Sequence, residues 1–305
     1  MPAWNEVQRE IEERIKEFPQ EGPGGSLNAV RYKHLNSIHQ HTGRNLLVYY
    51  SGFLSKPTIL DTELNHEDLN GFMMTVHKID RNLGLDLLLH TPGGSVAAAL
   101  SIVNYLRKMF GKNIRAIVPQ IAMSAGTMIA CSCKEIVLAK HSQLGPTDPH
   151  MNGIPAAGVK KEFQRACKEV SKNPQRIPIW QMIIGQYRPT FLSQCENAVQ
   201  LSKEFVKKQL ETVMLESDPN KKSKAARIVR QLNDYSGNKS HGRPIHIDEC
   251  KAMGLMVREL ESDPILQDRV LTVHHCYMHI FMNTPAFKII ENHTGNATLI
   301  KQQVA

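Results

Sequence analysis

No stretch of this sequence approaches the ~18–20 consecutive apolar residues that a membrane helix needs. The first residues are acidic and amphipathic, which argues against a signal peptide. Paired cysteine spacings are missing as well. Cys131, Cys133, Cys167, Cys195, Cys250 and Cys276 are scattered, so they read as reduced thiols in a cytoplasmic protein, not as a disulfide or metal framework. Cys131 and Cys133 read as helix packing. Basic residues are not interleaved with aromatics, as stacking platforms for nucleic acid require, and no nucleic-acid partner is expected. The net charge of +8 is spread along the chain; its densest group, Lys221, Lys222, Lys224 and Arg227, reads as a solvated helix face. Repeats and low-complexity tracts are not evident.

What is present is the composition of a globular protein. The chain is 41% hydrophobic and 22% charged over 305 residues, enough for one large domain or two small ones. Trp4 to Phe18 has helical period, Gln20 to Ser26 reads as a linker, and Arg31 to His41 as a polar helix. Gly22-Pro23-Gly24-Gly25 follows no strand, and Leu27 stands where a dinucleotide fingerprint needs its third glycine. Asn45 to Tyr50 reads as a buried strand, with a helix near Glu67 to Asn82 and a second strand over Leu85 to Leu89. Further on, Lys134 to Ala139 reads as a strand and His141 to Gly153 as a loop. Helices are predicted near Val159–Val170, Ile179–Ile184 and Ser193–Leu215, with a polar break over Glu216–Ala225. Asn233 to Arg243 reads as a loop, Pro264 to Gly295 as helical or mixed, and the last ten residues as frayed. Strand–helix alternation predicts parallel βαβ units, whose binding groups gather at the strands' C-terminal ends.

The stretch from Leu85 to Pro149 carries the chemistry. Its order is strand, Thr91-Pro92-Gly93-Gly94-Ser95, helix, strand, then Ala122-Met123-Ser124-Ala125-Gly126-Thr127 opening another helix. Two glycines after a strand allow a tight turn that points backbone N–H groups at a ligand. A serine at a strand-to-helix junction sits beside unpaired N–H groups. Side by side, the turns would supply a hydroxyl nucleophile, Ser124, and an oxyanion hole from the N–H of Gly94, with Gly93 a further candidate, and of Ala125. Either turn alone is an ordinary turn or helix cap; their succession is the signal.

The text LLLHTPGGSV…IRAIVPQIAMSAGTMIACSCKEIVLAKHSQLGPTDP resembles the serine dehydrogenase proteinase family. That family groups with signal peptide peptidase A and the Clp protease in the Clp/crotonase superfold. The resemblance runs from about Thr42 to beyond Leu255. It implies an α/β fold of repeated ββα units in a spiral with a C-terminal helical arm. Residues 1–42 would be an N-terminal helical segment, 43–190 the core with the active site, and 191–305 the arm and return element of the same domain. It also implies a serine peptidase with Ser124 as nucleophile, a peptide or protein substrate, no cofactor, and a homo-oligomer, since members of the superfold assemble into trimers or larger rings.

The base that activates Ser124 stays open between three placements. Ser-Lys relatives place a lysine at the start of the helix after the active-site loop, where Lys160 and Lys161 stand, Lys161 being preferred. The Clp protease uses a loop histidine; aligned on Pro149, Thr147 takes that position, His150 lies three residues on, and Asp148 could orient it. Lys140 and His141, at a strand end, are the third placement. His90 reads as packing. His274, His275, Cys276 and His279 form a cluster in which His275 and His279 share a helix face. No glutamate follows His275, so the zinc-protease motif fails and no metal is expected. Two rivals remain: a crotonase-type acyl-CoA enzyme, which has no need of a serine at position 124, and a non-catalytic scaffold in which Ser124 only caps its helix.

Overall fold

The computed structural model describes residues 4–151, 153–295 and 298–302. It begins with α1 (Trp4–Glu17), α2 (Gly22–Thr42), β1 (Asn45–Ser51), α3 (Asp68–Val76), β2 (Leu85–His90) and α4 (Val96–Phe110). There follow β3 (Ile114–Val118), β4 (Ile121–Ala122), α5 (Ala125–Ala130), β5 (Glu135–Leu138) and β6 (Gln143–Leu144). A hairpin, β7 (His150–Met151) and β8 (Ile154–Pro155), leads into α6 (Ala156–Lys172), α7 (Ile177–Ile184), α8 (Phe191–Gln209), α9 (Lys221–Leu232) and α10 (Tyr235–Asn238). The chain returns through β9 (Ile245–His246), α11 (Ile247–Met253) and β10 (Val257–Glu259). It closes with α12 (Pro264–Asn283), β11 (Ala286–Asn292) and β12 (Thr298–Gln302).

Seven strands form the main sheet, in the order β10-β5-β3-β2-β1-β11-β12. Those from β10 to β1 run parallel; β11 and β12 are antiparallel additions. A parallel sheet needs cover on both faces, which is why its strands read as unbroken apolar runs. Side chains alternate between two cores. Leu47, Tyr49, Leu87 and Leu89 meet Phe72, Ile102, Met128 and their neighbours from α3, α4 and α5. Leu46, Val48, Tyr50 and Leu88 meet Val7, Leu35, Tyr277 and Phe281 from α1, α2 and α12. The chain is thus a mixed α/β protein around a central sheet. Among the described residues no helix is long and apolar enough to cross a membrane.

Three local readings change. The glycine stretch read as a linker is the first turn of α2; Pro23 is tolerated there because first-turn N–H groups have no helical partner, and buried Leu27 and Val30 hold the helix down. The polar break ends early, since α9 starts at Lys221 and buries Ala225, Ile228, Val229 and Leu232. The tail expected to fray supplies β12 over 298–302; residues 296–297 and 303–305 lie outside the described residues.

A second, three-stranded sheet positions the site. Within it β4 pairs parallel with β6, and β6 pairs antiparallel with β9. Each of these strands is two residues long, too short for any periodicity to announce it.

Candidate active site

The glycine turn and the serine turn are in contact. Thr91 draws them together: its N–H donates to the Ile121 carbonyl at 3.0 Å, and its carbonyl accepts from Met123 N–H at 3.1 Å. Gly93 has φ +106 and Gly94 φ +140, conformations that side chains resist. A β-carbon on Gly93 would lie 2.7 Å from Cβ of Ser124, 2.9 Å from the Met123 carbonyl oxygen and 3.4 Å from the Ala125 nitrogen.

Ser124 is half-buried, at φ 50, ψ −113. A non-glycine residue at positive φ costs on the order of 1–3 kcal/mol and persists where the surroundings impose it. Its hydroxyl makes no capping bond to α5. Ser95 behaves in the opposite way, its Oγ accepting from Ala98 N–H at 3.2 Å as a helix cap. Among the described residues, the amides of Gly94 and Ala125 have no hydrogen-bond acceptor, whereas Gly93 N–H donates to Thr91 Oγ1 at 3.1 Å. Of the two glycines, Gly94 is therefore the one with an N–H to offer. Behind the turn stands Leu64, whose N–H donates to Gly93 O at 2.7 Å and whose carbonyl accepts from Ser95 N–H at 2.8 Å.

The candidate bases are placed differently. Lys161 is exposed; its amine donates to the Ser236 hydroxyl and lies over the Tyr235 ring, 5.4 Å from the centroid. Lys160 pairs with Glu196 at 3.1 Å. Lys140 is exposed, and His141 bonds the Pro119 carbonyl at 3.0 Å. His90 is buried, donating to the Ser51 carbonyl at 3.0 Å and stacking on Tyr50. Burial holds its pKa down at about 4. Thr147 is buried, and its hydroxyl accepts from Asn233 Nδ2 at 2.8 Å.

Asp148 is buried and lies between two histidines. His241 Nδ1 is 3.0 Å from Asp148 Oδ1, His150 Nε2 is 3.6 Å from Asp148 Oδ2, and the two rings are 4.2 Å apart. Partial burial lowers the pKa of His150; the neighbouring His241 adds to this, and Asp148 opposes it. These three are also the one set among the described residues whose ligand atoms, all within 4.8 Å, could hold a metal ion. The His274–His279 cluster is spent elsewhere, with Tyr50 donating to His274 and Trp4 against the His279 ring at 3.9 Å. No hydrogen bond joins Ser124 Oγ to a lysine or histidine among the described residues. His241 sits in no motif that sequence alone would single out. It lies 93 residues from Asp148, and the pairing of β6 with β9, with bonds of Thr147 with Leu232 and Asn233, brings them together.

Fold and turns together define a class: a mixed α/β protein whose parallel sheet carries a glycine turn and a serine turn in mutual contact. The family described as ClpP-like SDH-type serine proteinase matches residues 52–290, and the chain belongs to that family. Two curated relatives from Methanocaldococcus jannaschii are named uncharacterized protein MJ0137 and uncharacterized protein MJ1495. The first is 28% identical over 211 residues, 69% of this chain and 64% of the relative. The second is 28% identical over 192 residues, 63% of this chain and 58% of the relative. The chain thus spans less than two thirds of the length of either. A solved ClpP1 mutant from Listeria monocytogenes aligns with a TM-score of 0.39 at 10% identity, covering 75% of this chain and 98% of that one.

Proposed function

We propose that this protein is a serine peptidase in which Ser124 attacks a peptide carbonyl and the N–H groups of Gly94 and Ala125 receive the oxyanion. The observation that carries the reading is the Ser124 backbone. It is held at positive φ against Gly93, its hydroxyl caps nothing, and two unpaired amides lie in the same two turns. A serine that merely caps a helix would resemble Ser95. Oxyanion donors of this kind are each worth roughly 10²–10³ in kcat.

The proton of Ser124 goes to a general base and then to the leaving amine. The Asp148 loop supports a histidine base better than a lysine. Lys161 is exposed and bound to Ser236, so the partial desolvation that a lysine base requires is not provided there. The reaction as written consumes water and calls for no cofactor. The substrate is a peptide or protein segment whose scissile carbonyl meets Ser124 and the amides of the two turns. The protein acts as a homo-oligomer in a reducing, cytoplasmic setting. Exposed apolar residues on α7 and six unpaired thiols support these two points.

Labelling with a fluorophosphonate probe tests the reading. Adduct formation on Ser124, lost in Ser124→Ala along with peptide hydrolysis, is the expected result. A wild-type protein that neither labels nor cleaves a peptide library, or a Ser124→Ala variant that still does, would sink it.

A further inference from the structure

We infer that His241 is the general base that takes the Ser124 proton, with Asp148 as its positioning carboxylate; this deepens the serine-peptidase reading and rests on it. Ser124 follows β4 by two residues, and Asp148 follows β6 by four. Because β4 and β6 are parallel, both leave the small sheet at the same end. Strand β9 runs the other way, so the residues that precede it, from His241 on, arrive at that same end. The two turns of the proposed site and the His241 loop thus meet at one edge.

Asp148 is 3% exposed, and a buried carboxylate must be partnered. At 3.0 Å it accepts the Nδ1–H of His241. That bond fixes the tautomer whose Nε2 is the basic nitrogen, the arrangement that general-base catalysis by a carboxylate-oriented histidine uses. Nε2 of His241 has no hydrogen-bond partner among the described residues. His150 instead turns its Nε2 toward Asp148, at the longer distance of 3.6 Å, and belongs to the outer hairpin.

The Asp148 loop is fixed and touches the serine turn. Thr147 N–H donates to Leu232 O at 2.9 Å, its carbonyl accepts from Ser202 Oγ at 2.7 Å, and its hydroxyl is held by Asn233. Gly145 N–H donates to Thr127 Oγ1 at 2.9 Å, and a β-carbon on Gly145 would lie 2.4 Å from Met123 Cε. The carboxylate is therefore held by the same packing that holds the residue before the nucleophile.

In the step that follows, Ser124 Oγ bonds to the carbonyl carbon, the carbonyl π pair moves to oxygen, and the hydroxyl proton passes to His241 Nε2. Collapse of the adduct breaks the C–N bond, and the amine leaves with that proton. Water then attacks the acyl carbon and gives a proton to Nε2. The acid departs, and the proton returns to Ser124. Catalytic hydrogen bonds often tighten only when substrate is bound, and the proposed transfer from Ser124 to His241 takes place in that complex.

The test is steady-state hydrolysis of a peptide that the wild type cleaves, with fluorophosphonate labelling in parallel. His241→Ala is expected to lower kcat by roughly 10²–10⁴-fold with little change in KM. His241→Gln, which can still donate to Asp148 and keep the loop folded, is expected to lose as much. Added imidazole is expected to restore part of the rate to His241→Gly. Asp148→Asn is expected to lower kcat and leave KM in place, while His150→Ala and Lys161→Met stay within a few fold of wild type. A folded His241→Gln with wild-type kcat, or the loss appearing in Lys161→Met or His150→Ala instead, would overturn the assignment and leave Ser124 as nucleophile. Retained activity in Ser124→Ala would overturn both.

Discussion

A β-carbon placed on Gly93 would sit 2.7 Å from Cβ of Ser124. No real pair of β-carbons approaches so closely, so the glycine is what lets the serine turn in. Gly93→Ala must push back either Ser124 or the Met123 carbonyl, 2.9 Å from the same point, and must also hold alanine at φ +106. Strain of this kind is worth on the order of 1–3 kcal/mol. The expected result is a lower denaturation midpoint together with loss of Ser124 labelling. Gly111→Ala is the control: its φ is +61, but nothing lies within 4 Å of its added carbon. It is expected to lose some stability and keep its labelling. Equal labelling in the two variants would show that the contact does not shape the site.

That contact was half legible in the sequence. Both turns follow apolar runs, β2 and β3, which stand out because a doubly covered parallel sheet leaves no polar face. The family text then fixed their order. The base we propose was not legible, because Asp148 and His241 are brought together by two-residue strands that carry no pattern and by bonds of Thr147 with Leu232 and Asn233, far along the chain. Counting along the chain leads to Lys161 and His150; pairing across the small sheet leads to the His241 that we propose. The end of the main sheet was hidden for another reason. Lys288 and Glu291 in β11 look like surface residues, yet both are buried, paired with Asp68 and Arg31. No local rule reveals a charge whose partner is some two hundred residues away.

The Lys288–Asp68 pair anchors the segment that backs the glycine turn. Lys288 Nζ lies 3.1 Å from Asp68 Oδ1 and 2.6 Å from the Glu63 carbonyl. Asp68 Oδ2 accepts from Asn65 N–H and from the Tyr49 hydroxyl, each at 2.9 Å. Between Glu63 and Asn65 stands Leu64, hydrogen-bonded to Gly93 and Ser95. Lys288→Met leaves a buried carboxylate short of its main counter-charge, with Lys301 at 3.6 Å as the remaining cation. Such a loss costs about 3–5 kcal/mol. The double variant Lys288→Met/Asp68→Leu removes both charges and is expected to regain much of that stability. It should nonetheless stay low in kcat, because Glu63 to Asn65 has lost its anchor. Full recovery of kcat in the double variant would separate the pair from the site.

Helix α7 leaves Ile179 61% and Met182 76% exposed, with Ile177 and Ile183 beside them. Apolar groups clustered in this way mark contact surfaces. Under the homo-oligomer proposal a second copy of this chain covers them. Ile179→Glu/Met182→Glu is expected to shift sedimentation toward the single chain while leaving the thermal midpoint of the separated subunit unchanged. Wild-type protein sedimenting as one chain across concentration would rule that cover out.

Three histidines, His90 buried and His274 and His293 partly buried, set the acid limit of stability. Burial holds His90 at about 4 and His274 at about 3. Burial, reinforced by stacking against His39 at 3.9 Å, holds His293 at about 4. In the unfolded chain each returns to its ordinary 6.5. Between those values the unfolded state takes up protons that the folded state refuses. The stability they contribute is therefore complete above pH 6.5 and is lost progressively down to about 4, continuing toward 3 for His274. For His90 and His274 a shift of this size is worth a few kcal/mol per group, on the order of 1.4 kcal/mol for each pH unit, while solvent screening makes the His293 contribution smaller. Urea midpoints measured from pH 8 down to pH 4.5 should fall steadily once the pH drops below neutrality. His293→Gln, at the rim of the sheet and half-exposed, is the variant expected to shallow that slope without emptying the core. A midpoint that stays flat until carboxylates begin to titrate would mean that these imidazoles are charged, or solvated, in the native state.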